Sequence, residues 1–199
     1  MRTMMNAQHF GSSLRYVLVA ILSIACSEVG QAQIGLKLLE FEARFGVTTE
    51  SVEDKTNERI ASSGDAAKNA EGRRILTGMM NSYRRMGMVE IRFCSIDTRI
   101  GGNTPPWMVR LGLDDARRIR MVTWDNYAGT LKDETVTALL TFSSQGSQWK
   151  KSQPAYGKET WRREDGGAVG IIDGPYKGEL IVSDADTWEK GQRPSPNDQ

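Results

Sequence analysis

From Ile34 to Asp184 the chain alternates two rhythms: apolar residues three or four apart, then apolar residues at every second position. The first rhythm marks one face of a helix, the second one face of a half-buried strand. The segment "GLKLLEFEARFG" places Leu36, Leu39 and Ala43 on one stripe with Leu38, Phe41 and Phe45 beside it. Gly46 follows and predicts a helix stop, since glycine enters the left-handed conformation at little cost. From Thr48 to about Gly72 large apolar residues are scarce, so this stretch reads as a solvated helix or a polar insertion outside the core. "RRILTGMMNSYRRMGM" then returns to helical spacing at Ile75, Met79, Met80 and Tyr83, with Gly78 and Gly87 weakening the pattern.

The period changes at "VEIRF", where Val89, Ile91 and Phe93 alternate with Glu90 and Arg92. After the "GGNTPP" loop, "WMVRLGL" puts Val109, Leu111 and Leu113 on one face. Asp114-Asp115 predicts a tight turn into "RRIRMVTW", with Ile119, Met121 and Thr123 facing one way and Val122 and Trp124 the other. Three strands joined by turns make an antiparallel meander. A second round opens at "TLKDETVTALLTFSSQG", with Thr130 three residues before Asp133 as a capping signal and Val136, Leu139 and Leu140 as the apolar stripe. Gly146 is expected to end that helix, and "SQWKKS", "ETWRRE", "AVGIID" and "ELIVSD" follow as strands, with Asp165-Gly166-Gly167 as a turn.

The expectation is therefore an α+β fold of two helix-plus-antiparallel-β-meander units. Residues 33–129 form the first, with a polar insertion about 48–72, residues 130–188 form the second, and residues 189–199 form a polar, proline-broken disordered tail. Leu39 aligns with Leu139 and Gly46 with Gly146, which raises a tandem αβββ repeat; the plainer account is that amphipathic helices resemble one another.

The second half also resembles a group of small exported bacterial proteins of unassigned activity. The residues that carry the resemblance are Leu139-Leu140, Gly146, Trp149, the run Trp161 to Ala168, and Leu180 to Val182, spanning residues 131–188. Because that group has no assigned activity, the resemblance implies no site residues. In architecture alone, tandem helix-plus-meander chains are similar to the β-lactamase inhibitor protein family and to small outer-membrane-assembly lipoproteins, and that resemblance implies protein binding without chemistry.

Ahead of these units, residues 1–32 read as a secretory signal peptide. Arg2 and Arg15 supply its positive region, Tyr16 to Ala25 its apolar core, and Gly30 and Ala32 the small residues before a cut at Gln33. "LSIAC" offers the alternative of a lipoprotein tethered through Cys26, with Ser23 standing where an apolar residue belongs. The expected location is periplasmic or secreted, with membrane contact only through a lipid on Cys26. Loss of Arg2, Arg15 and Glu28 takes the formal net charge from +1 to zero, so no global field draws in nucleic acid.

The same cut removes His9, the only histidine, and leaves Cys94 as the only cysteine. Without imidazole there is no Ser-His-Asp or Cys-His arrangement, and without a second thiol there is no disulfide or thiolate metal site. No cofactor or metal site is therefore expected. "GGNTPP" lacks the lysine and helix start of a phosphate loop. Cys94 continues the Glu90/Arg92 face, so it is either a thiol activated by Arg92 or a small, partly covered strand residue with no base beside it. Three acid pairs, Asp114/Asp115, Glu164/Asp165 and Asp184/Asp186, sit at predicted turns or strand ends, where acids serve turn chemistry more often than catalysis.

Basic pairs recur at Arg73-Arg74, Arg84-Arg85, Arg117-Arg118, Lys150-Lys151 and Arg162-Arg163, interleaved with tryptophans. On a strand each pair splits between opposite faces, which argues against a nucleic-acid stripe. Trp, Tyr and Arg are also common anchors of protein interfaces. Trp107, Arg110, Trp124, Trp149, Trp161 and Arg163 are thus the candidate binding face. The expected function is a non-catalytic envelope module that binds a protein or cell-wall component through that face, not an enzyme. The alternative is a carboxylate-dependent hydrolase of envelope polysaccharide.

Overall fold

The computed structural model describes residues 33–127, 129–144, 146–155, 158–173 and 177–193. The expected signal peptide, including Cys26, lies outside the described residues.

The chain forms one mixed α+β body built on a single eight-stranded antiparallel sheet. In chain order the elements are α1 (Leu38–Phe45), β1 (Glu50–Ser51), α2 (Val52–Ser62), α3 (Ala66–Arg85), β2 (Glu90–Ile96), β3 (Trp107–Leu113), β4 (Ile119–Asn126), α4 (Asp133–Phe142), β5 (Trp149–Ala155), β6 (Lys158–Arg163), β7 (Ala168–Asp173), β8 (Glu179–Asp184) and α5 (Ala185–Gln192). The sheet runs β1-β2-β3-β4-β8-β7-β6-β5, so the two meanders meet through their last strands, β4 and β8. No helix among the described residues is long and apolar enough to cross a membrane.

One face of the sheet carries the main core. Trp107, Val109, Leu111, Leu113, Val122, Trp124, Leu180, Val182 and Ile172 pack there beneath Leu38 and Phe41 of α1 and Val136, Leu139 and Leu140 of α4. The opposite face carries a smaller cluster, Ile91 under Leu76 and Met80 of α3, joined by Val52 of α2 and Tyr83. The segment ahead of α1 is stitched to the edge of β4 by Gly35 N–H to the Ile119 carbonyl (2.7 Å) and Ile119 N–H to the Leu36 carbonyl (2.8 Å).

The helix expected around residues 36–46 is present, and Gly46 closes it at φ 62°. Its buried stripe is Leu38 and Phe41, while Leu39 is 72% exposed. Leu139 is fully buried. The aligned leucines therefore sit in opposite environments, the first half inserts β1, α2 and α3 before its meander, and the second has four strands, so a tandem αβββ repeat is not established. The polar stretch 48–72 is a solvated helix: α2, capped by Ser51 accepting from Asp54 N–H, buries only Ile60. Its last residues start α3, where the Asp65 carboxylate accepts from Ala67 and Lys68 N–H. On α3 the buried residues are Leu76 and Met80, and Ile75 is exposed.

In β4 the expected alternation slips by one residue. The register shifts between Gly112 and Leu113, which pair with Met121 and Ile119, so Arg120 is the extra residue of a bulge. Ile119 consequently joins Val122 and Trp124 in the main core instead of Met121 and Thr123. The tail begins later than expected, because residues 189–192 belong to α5. Asp184 caps that helix through Thr187 N–H (2.9 Å) and Thr187 Oγ1 (2.8 Å) while pairing with Arg120 (2.8 Å).

Candidate functional site

Helix α4 is the element that shapes the candidate site, and both of its ends are pinned. At its start Thr130 is not the cap: the cap position is Lys132, which offers no side-chain bond. Asn103 serves instead, its Oδ1 accepting from Lys132 N–H (3.0 Å) and from Thr135 Oγ1 (2.8 Å), while Thr135 Oγ1 accepts from Gly102 and Asn103 N–H (3.0 and 3.1 Å). The "GGN" turn thus docks on the helix start, with an amide side chain satisfying the free N–H of the cap position. Only glycine fits at position 101, at φ 55°, where a Cβ would stand 2.6 Å from the Thr135 Cα.

At the other end, helix α4 stops at Phe142, ahead of Gly146. The Ser143 carbonyl accepts from Arg163 Nη1 at 3.4 Å. Arg163 is only 6% exposed and donates through Nε to Asp165 Oδ1 at 2.8 Å. Asp165 also accepts from Gly167 N–H, which confirms the expected Asp-Gly-Gly turn. Arg163 is thereby a tie between α4 and the β6–β7 turn, not a surface anchor.

With α4 fixed across β5 to β7, a groove of about 320 Å³ opens between them, lined by Thr137, Leu140, Thr141, Ser144, Ser147, Gln148, Trp149 and Trp161. Its two indoles come from neighbouring strands, β5 and β6, and lie over Gly170 of β7, which pairs with Trp161. A Cβ at Gly170 would stand 2.8 Å from Leu140 Cδ2 and within 4 Å of both Trp149 and Trp161. Absence of a side chain there is what lets the three apolar groups settle together. Both tryptophans are half-buried, and the Lys151 ammonium lies 5.4 Å from the Trp161 ring centroid.

The other expected members of the binding face are elsewhere. Trp107 and Trp124, each 0% exposed, meet edge-to-face at 6.2 Å in the main core, and Trp107 Nε1 donates to the Thr98 carbonyl (3.0 Å). They sit on the sheet's central strands under α1, so they offer nothing to a ligand. Arg110 is on the opposite face, where Nη2 donates to Glu179 Oε1 at 3.1 Å. Of the six candidates, the fold brings only Trp149 and Trp161 together at an accessible place. The hydroxyls and carboxamide around them were not singled out by sequence; the signal available was the density of Ser, Thr and Gln from Thr137 to Gln148 beside Trp149.

The acid pairs at turns hold backbone and arginine. Asp114 accepts from Arg118 N–H (2.8 Å), and Asp184 and Asp186 flank Arg120. A pair not anticipated is Asp125 with Glu179, directly opposite each other on β4 and β8. Desolvation raises the pKa of both, and Arg110 opposes it. Asp173 continues the row on β7 and pushes Glu179 further up.

Cys94 is 5% exposed, and burial, aided by the Glu42 charge, pushes its thiol up to about 11. Arg92 does not activate it: that guanidinium is held by the Thr49 carbonyl (2.6 Å) and Glu90 (3.1 Å). Among the described residues no group of three or more His, Cys, Asp or Glu is placed to hold a metal ion. Compared with known proteins, the chain matches no family model, no curated protein and no solved structure.

Proposed function

We propose that this protein is an exported, non-catalytic binding module of the cell envelope, and that it recognises its partner or cell-wall component through the groove between α4 and strands β5 and β6. The observation that carries this reading is the pair of half-buried indoles of Trp149 and Trp161, set in a rim of hydroxyls at one mouth. Small-ligand sites have this composition, an apolar floor with a few polar groups, and the volume lies at the low end of their range. The binding surface is thus narrower than a whole sheet face.

The test is a photo-crosslinking side chain at Gln148 of the full chain in intact cells. The expected result is a light-dependent adduct that disappears when Trp149→Ala and Trp161→Ala are added. No adduct above background would overturn the reading.

A second reading, a carboxylate-dependent hydrolase of envelope polysaccharide, is favoured by the raised pKa values of Asp125 and Glu179, which stand directly opposite each other on β4 and β8. Against it, Arg110 donates to Glu179 at 3.1 Å and opposes the rise in both carboxyls. Substrate turnover by the purified chain that is lost in Glu179→Gln would establish this reading over the first.

A further inference from the structure

We infer that the α4–β5–β6 groove takes a neutral saccharide, with the C–H face of a sugar ring against the indoles of Trp149 and Trp161. This inference rests on the groove being the binding site and adds the chemistry of its ligand. The eight lining residues include two indoles, one leucine, four hydroxyls and one carboxamide, and none is charged. At the groove's rim Lys150 is matched with Glu164 at 2.8 Å and Asp165 with Arg163 at 2.8 Å, while Lys151 and Lys177 share the single carboxylate of Glu159 at 2.6 and 2.9 Å. An anionic polymer or a charged peptide therefore finds no charged group in the lining to recognise, and the one lysine in excess lies outside it.

An apolar peptide helix fits poorly too, because such helices are received by grooves that are hydrophobic along their length. Addition of an extended peptide to the free edge of β5 meets Lys150, Lys151 and Pro154, the residue types that block edge pairing. A sugar ring has the matching pattern: a flat apolar face for an aromatic ring, and a perimeter of hydroxyls for Thr137, Thr141, Ser144, Ser147 and Gln148.

The experiment titrates the full chain with neutral tetrasaccharides of β-1,4-linked N-acetylglucosamine, glucose and mannose, reading the indole N–H signals by NMR. Polygalacturonate serves as the anionic comparison. The expected result is a saturable shift of the Trp149 and Trp161 signals with at least one neutral tetrasaccharide, while those of Trp107 and Trp124 stay in place. Trp161→Ala should weaken that binding roughly tenfold and Trp161→Tyr should retain most of it. Absence of a saturable shift with all three tetrasaccharides, unchanged binding in Trp161→Ala, or equal binding of polygalacturonate would overturn the inference. If saccharides fail while the Gln148 crosslinker still captures a partner that Trp149→Ala and Trp161→Ala abolish, only the ligand class is wrong. If both fail, the groove is not the binding site.

Discussion

Two pairs of tryptophans occupy the same side of the same sheet and have opposite fates. Trp107 and Trp124 stand on β3 and β4, near the middle of the strand order, and are closed over by α1 through Phe41 and Phe45. Phe45 meets Trp124 at 6.1 Å and Phe41 at 4.6 Å, so the four rings form one aromatic block. Trp149 and Trp161 stand on β5 and β6, the free edge and its neighbour, where α4 covers one side of them and leaves the other open. Residue type and strand alternation are the same in both cases. Position in the strand order separates structural tryptophan from candidate ligand contact.

The sharpest way to break this comparison is truncation. Trp124→Ala should lower stability by about 3–5 kcal/mol, since a fully buried indole leaves a cavity that the aromatic block cannot refill. Trp161→Ala should cost about 1 kcal/mol or less, because much of its surface already faces water. Urea denaturation of both variants measures the difference, and equal losses would end the distinction between the two pairs.

Next in size is the anchoring of α4. Thr135→Val removes the acceptor of the Gly102 and Asn103 N–H groups in a buried setting and should cost about 2 kcal/mol by the same measurement. Retained stability would mean that the helix, and with it the groove wall, is held by packing alone.

A smaller effect of opposite sign is expected at the carboxylate row. The folded-state pKa of Glu179 is raised, so the folded protein holds that proton more tightly than the unfolded chain does. Its penalty is present above the raised value and is relieved as pH falls toward the ordinary carboxylate range. Glu179→Gln removes a charge whose burial, with Asp125 and Asp173 beside it, costs more than its pairing with Arg110 returns, and should raise stability at neutral pH by up to about 1 kcal/mol. That gain should fade in acid, and a loss of stability at neutral pH would contradict the sign.

The groove's own rim shows the reverse behaviour. Hydrogen bonds from Lys151 and Lys177 hold Glu159 at about 2, so its contribution is present above the ordinary carboxylate value and disappears as pH falls from there toward 2. NMR titration of the Glu159 carboxyl should show this, and an ordinary carboxylate value would mean the flanking lysines do not engage it. Smallest of all, a thiol reagent at neutral pH should modify Cys94 far more slowly than free cysteine, because a thiol held near 11 supplies little thiolate.

Much of this fold is written locally. The strands β3 to β8 overlap the stretches read as strands, Gly46 stops its helix, and Asp165-Gly166-Gly167 makes its turn, because each depends on a few neighbouring side chains and the backbone geometry they allow. The errors share one cause. Leu39 and Ile75 are as apolar as Leu38 and Leu76, and only the helix's docking angle decides which face is buried. The bulge at Arg120 reverses a face through one extra residue that sequence alternation does not register.

The candidate site was half legible. Trp149 and Trp161 stood out by type, but Trp107, Trp124 and Arg163 stood out equally and proved to be buried. Local pattern determined the strands, the turns and the absence of imidazole beyond His9, since these follow from residue identity and short-range sterics. Strand order, set by the meeting of β4 with β8, is a long-range packing outcome. It alone decided which indoles were enclosed at the centre and which were left at an open edge beside α4.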